Sequence, residues 1–143
     1  MSEVEYLNYY DEYSVIINAL DAEILVQVDG AGYDDNDYDG YTHLLVREGA
    51  RADGRIGIIT FGWGHCPGCD ALIGCNSSPN PHAEVTKLRD EIWDSAHWEN
   101  GLPEMLEYLT GKNWALDPSY RTESWNQFYA QAEAMLIHLI DHS

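Results

Sequence analysis

Apolar positions recur with a helical period at the start of the chain, form short punctuated runs in its middle, and return to a helical period through residues 80–141. Tyr6, Tyr10, Tyr13, Ile17 and Leu20 fall at i, i+4, i+7, i+11 and i+14, one face of a helix, although β-branched Val15-Ile16-Ile17 lowers helix propensity there. Three strand-like runs follow: residues 23–28 ending at Asp29-Gly30, residues 41–46 ending at Glu48-Gly49, and residues 55–61 after Asp53-Gly54. Acid-Gly pairs between apolar runs are turn signals, so the spacing predicts a three-stranded antiparallel meander. After Trp63 the strand pattern stops. Asn80 before Pro81 reads as a helix cap, with Val85, Leu88, Ile92 and Ala96 at helical spacing. Pro103 opens a short helix carrying Met105, Leu106 and Leu109 and closed by Gly111. Thr122 begins the clearest helix, with the stripe Trp125, Phe128, Tyr129, Ala132, Leu136, Leu139 and Ile140.

Sheet first and helices after is the order of an α+β fold. The expectation is one domain over residues 1–143: a meander in the first half, a zinc-stabilised turn, then packed helices. Hydrophobic residues make up 45% of the 143, enough for one core and too many for an intrinsically disordered chain. No apolar run approaches the roughly 18 residues of a membrane span. The start, Met1-Ser2-Glu3-Val4-Glu5, is acidic where a signal peptide is basic. A soluble, intracellular protein is expected.

Charge narrows the picture further. The formal net charge is −18, from 25 Asp and Glu against 7 Lys and Arg. Such a chain repels nucleic acid and anionic membranes at long range, which excludes direct binding to either. Residues 1–40 hold eleven acids and no Lys or Arg. Self-repulsion of that kind destabilises a compact state, so the asymmetry suggests a basic partner; simple solubility is the competing account. Within this stretch, Asp35-Asn36-Asp37-Tyr38-Asp39-Gly40 matches the opening of an EF-hand loop. The match fails at the twelfth position, which is Val46 where a bidentate Glu is required. An acidic loop tip is the better reading, with Tyr33, Asp34, Asp35, Asp37, Tyr38 and Asp39 as candidate partner-binding residues.

All three cysteines lie in Gly64-His65-Cys66-Pro67-Gly68-Cys69-Asp70-Ala71-Leu72-Ile73-Gly74-Cys75. An odd count argues against a disulfide scaffold. Cys66 and Cys69 form a C-x2-C pair on a Pro-Gly turn, Cys75 can add a third sulfur, and His82, in preference to His65, a nitrogen. Three thiolates and an imidazole would close a structural zinc shell with no open position. Two other readings stand beside it. One is thiol redox chemistry at the CPGC sequence after a strand, which requires a βαβ setting. The other is small cysteines packed in a core. Glycine-rich phosphate loops, HExxH and GxSxG are absent, the six histidines are scattered, and nothing in the sequence argues for catalysis.

Residues 61–72, Phe-Gly-Trp-Gly-His-Cys-Pro-Gly-Cys-Asp-Ala-Leu, resemble a turn found in small acidic proteins encoded by tailed bacteriophages and prophages. The likeness covers roughly residues 22–140 and includes Lys112-Asn113-Trp114 and Trp125. It differs at His65, where a small residue is expected. It implies a strand-rich first half followed by helices, and no catalytic residues. Small acidic phage proteins often inhibit host nucleases. The resulting expectation is a non-enzymatic inhibitor, acting in the bacterial cytoplasm, that binds a basic surface of a CRISPR effector or another host nucleic-acid enzyme. The alternative is a thiol-redox or metal-handling protein centred on the CPGC sequence.

Overall fold

The three predicted strands pair as expected, and a fourth joins them. The computed structural model describes residues 1, 3–4, 13–31, 40–63, 71–76 and 78–142. In chain order these form helix α1 (Ser14–Ile17), strands β1 (Ala22–Ala31), β2 (Gly40–Glu48) and β3 (Ile56–Trp63), helices α2 (Ala71–Asn76) and α3 (Pro81–Asp94), strand β4 (His97–Glu99), and helices α4 (Leu102–Gly111) and α5 (Glu123–Asp141). Two 3-10 turns, Trp114–Leu116 and Pro118–Tyr120, link α4 to α5. The sheet is antiparallel throughout, in the order β1-β2-β3-β4. The fold is α+β. Tyr6 and Tyr10 of the expected first helix lie outside the described residues; Tyr13, Ile17 and Leu20 are buried, but the helix among the described residues spans only Ser14–Ile17, so Tyr13 and Leu20 flank it.

Helices cover both faces of the sheet. On one face Leu44, Val46, Ile59 and Phe61 pack with Ile16 and Ile17 of α1, Leu72 of α2, and Val85 and Ile92 of α3. On the other, Val26, Val28, Leu45, Ile56 and Ile58 pack with Met105 and Leu109 of α4 and with Trp125, Phe128, Ala132 and Leu136 of α5. This accounts for the unbroken apolar runs Leu44-Leu45-Val46 and Ile56 to Ile59: a strand buried on both faces loses its polar alternation. A register shift between Ile24 and Val26 lets Ile24 pack in the first cluster and Val26 in the second.

The caps follow the sequence. Asn80 Oδ1 accepts from the Ala83 N–H at 3.3 Å, and Thr122 Oγ1 accepts from the Trp125 N–H at 3.1 Å. Three details differ. Ala96 lies beyond α3, because Ser95 ends the helix with its hydroxyl donating to the Ile92 carbonyl at 2.7 Å. Helix α4 starts one residue before Pro103, with Gly101 as its cap. Strand β4, at three residues, is too short to show a period; it exists because His97, Trp98 and Glu99 pair with Ile58, Gly57 and Ile56 at the β3 edge.

Candidate partner-facing site

The strand register brings two of the segments singled out in the sequence to one end of the sheet. β1 and β2 pair as far as Ala31↔Gly40, and β2 and β3 as far as Gly40↔Trp63. Residues 32–39 and 64–70 are therefore both attached at this end. Tyr33, Asp34, Asp35, Asp37, Tyr38 and Asp39 lie outside the described residues, as do His65, Cys66 and Cys69.

A cavity of about 380 Å³ opens on the α1 face at the same end, lined by Tyr13, Ser14, Ile17, Asn18, Gln27, Asp29, Thr42 and Trp63. Alternation along β1 places Gln27 and Asp29 on this face, opposite in direction to Val26 and Val28. The Asp29 carboxylate accepts from Thr42 Oγ1 at 2.5 Å and from Gln27 Nε2 at 3.1 Å. Both donors are neutral, so they orient the carboxylate without cancelling its charge. Trp63 lies over Gly40, which has no side chain: a Cβ there would collide with the indole ring. At the neighbouring Gly30 a Cβ would stand 2.5 Å from Ser124 Cβ, so the first turn of α5 rests directly on β1.

The cations are placed elsewhere or bound internally. Arg47, Arg51 and Arg55 all belong to the β2–β3 hairpin end, about 20 Å along β2 from Gly40 at the usual strand rise. Arg55 grips Glu48 with two hydrogen bonds of 2.8 and 2.7 Å, holding that carboxyl below its usual range, and lies 4.8 Å from the centre of the Trp98 ring. Arg89 is 1% exposed and donates to Asp90 and to the Ala19 carbonyl. Lys112 stands over Trp114 at 4.7 Å, and Arg121 donates to the Ala115 carbonyl. No acid among the described residues is buried. The carboxylates therefore lie at the surface, alongside the exposed side chains of Arg51, Arg55, Lys87, Lys112 and Arg121.

Of the expected zinc ligands, Cys75 is buried in the cluster beside α2 and α3, and His82 is exposed in the first turn of α3. Among the described residues, no group of three or more His, Cys, Asp or Glu is placed to hold a metal ion. The strand preceding the cysteine segment sits in a wholly antiparallel sheet, not in the parallel βαβ unit that a thioredoxin-like arrangement requires.

One histidine has a specific environment. His43, fully buried in the central strand β2, has Nδ1 2.9 Å from Thr60 Oγ1 on β3, and the Tyr120 hydroxyl hydrogen-bonds the same threonine. Trp125 stands edge-on to the imidazole at 5.2 Å, Phe128 lies at 5.7 Å, and Nε2 has no partner. Burial pushes its pKa down to about 4, against a smaller opposing pull from Asp29. A neutral ring with no exposed atom meets no substrate; its place is in the core.

Comparison of the chain with protein-family models, with curated proteins and with solved structures finds no match. Among the described residues, no helix is long and apolar enough to cross a membrane. Sequence reasoning missed Asp29, Gln27 and Trp63 as parts of one cavity. The signal was present: two polar residues at alternate positions of an otherwise apolar strand mark a face that is not packed.

Proposed function

We propose that this protein is an acidic, phage-type inhibitor that binds a basic surface of a host nucleic-acid enzyme, a CRISPR effector nuclease such as Cas9, and blocks nucleic-acid loading in the bacterial cytoplasm. The observation that carries this reading is the placement of the cations along the sheet. The cations of the sheet gather at the hairpin around Arg47, Arg51 and Arg55, while the other end bears Asp29 and the attachments of the aspartate-rich segment 32–39. Effectors hold guide and target in positively charged channels, and a −18 protein is steered towards them. Its carboxylates take the positions of phosphates or cover a neighbouring basic lobe. The work it does is occupation of a surface, without catalysis.

The test is retention of an expressed Cas9-type effector, from nuclease-treated lysate, on the tagged protein, with DNA cleavage by the purified effector as a second readout. Wild type should retain the effector at low salt, release it at high salt and slow cleavage. Asp35, Asp37 and Asp39 changed together to Asn should reduce retention at least about tenfold, the scale of losing several charge contacts. An effector that never binds contradicts the proposal; intact binding by the triple variant moves the contact away from the loop.

The scaffold part of the proposal is a structural zinc ion held by Cys66, Cys69, Cys75 and His82. Metal analysis of protein made in zinc-supplemented medium should find one zinc per chain, and its removal should unfold the segment around residues 64–82. Metal-free protein with an unchanged melting curve would eliminate the zinc and leave the cysteines as core residues.

A further inference from the structure

We infer that the cavity between α1 and the end of the sheet is a receptor for one arginine side chain of the basic partner. The cavity is within the size range of a ligand pocket, about 380 Å³, and carries one carboxylate, Asp29, held in place by Thr42 and Gln27. None of its lining residues among those described is a Lys or Arg. The Trp63 indole, laid across Gly40, supplies an aromatic surface, and Asn18 a neutral polar contact. A carboxylate and an indole lining one cavity are what a guanidinium uses: bidentate hydrogen bonds to oxygen and stacking of its plane on the ring. Lysine fits less well, because its compact ammonium is strongly hydrated and cannot stack as a plane. The position completes the argument, since the cavity opens where the aspartate-rich segment leaves the sheet.

The source of the arginine rests on the partner reading above; the pocket chemistry does not. The probe is N-acetyl-arginine amide, with N-acetyl-citrulline amide as the neutral compound of nearly the same shape. Binding is read from the indole N–H signal of Trp63, assigned by its loss in Trp63→Phe. The arginine compound should shift that signal in a saturable way, and the citrulline compound should bind at least about tenfold more weakly. Asp29→Asn, which keeps the size of the side chain, should weaken the arginine compound to the same degree. Equal binding of the two compounds, or no shift of Trp63 with either, overturns the inference even if the Asn variant fails to fold. Retention of the effector separates the two proposals. An effector held equally by wild type and Asp29→Asn overturns the arginine receptor and leaves the inhibitor standing. Arginine bound at Trp63 with no effector retained supports the receptor and removes the inhibitor.

Discussion

The two faces of the sheet solve different problems with adjacent residues. Val28 and His43 are register partners, and so are Asp29 and Thr42, one step along the same two strands. On the α4–α5 face, His43 is enclosed by Trp125, Phe128 and Tyr120, while Trp114 packs 4.6 Å from Trp125, ring centre to ring centre. This face is dry and aromatic. On the α1 face, Asp29 and Thr42 border an open cavity walled by Trp63. A single step along the strand separates a group whose charge is suppressed by burial from one whose charge stays in contact with solvent. The aromatic face is closed core, whereas the Asp29 end of the sheet remains open to solvent.

The sharpest way to break that comparison is to make one substitution on each face. Trp125→Ala removes a ring that is 2% exposed and packs with Trp114, Tyr120, Phe128, Tyr129 and His43, and should cost about 3–5 kcal/mol in denaturant unfolding. Trp63→Ala removes a half-buried ring at the cavity and should cost about 1–2 kcal/mol. Equal costs would mean that the open end is as much a part of the core as the aromatic face.

Acid sharpens it further. The folded pKa of His43, about 4, lies below the usual 6.5, so the folded protein holds the ring neutral while the unfolded chain takes up a proton. The contribution of His43 is complete above pH 6.5, falls as pH drops towards 4, and changes no further once both states are protonated. The loss over that window is about 3 kcal/mol. It is read as the difference in pH dependence between wild type and His43→Gln, which cancels the carboxylates and the other histidines. Parallel curves would show that the ring is not held neutral.

Much of the fold is legible in the sequence because its local signals agree. Glu48-Gly49 and Asp53-Gly54 mark a turn, Asn80 and Thr122 mark helix starts, and the stripe beginning at Trp125 marks the α5 face, whereas Asp29-Gly30, which reads as a turn, is paired with Thr42 and Tyr41 inside β1. What is not legible depends on tertiary contact. Strand β4 exists only through its pairing with β3, and the covering of both sheet faces follows from where α1–α3 and α4–α5 dock. The site is less legible still. Asp29 is one of 25 acids, and only the register that sets it beside Thr42, with Trp63 across Gly40, distinguishes it. His43 likewise reads as one of six scattered histidines until Thr60, Trp125 and Phe128 surround it.

The most direct measurement is the affinity of the purified protein for a guide-free Cas9-type effector, followed by calorimetry from about 50 to about 500 mM salt, a range over which screening shortens several-fold. A basic surface met by a −18 partner should bind tightly at low salt and lose affinity steeply and continuously as salt rises. No binding at the lowest salt, or an affinity that stays constant across the range, would contradict the account.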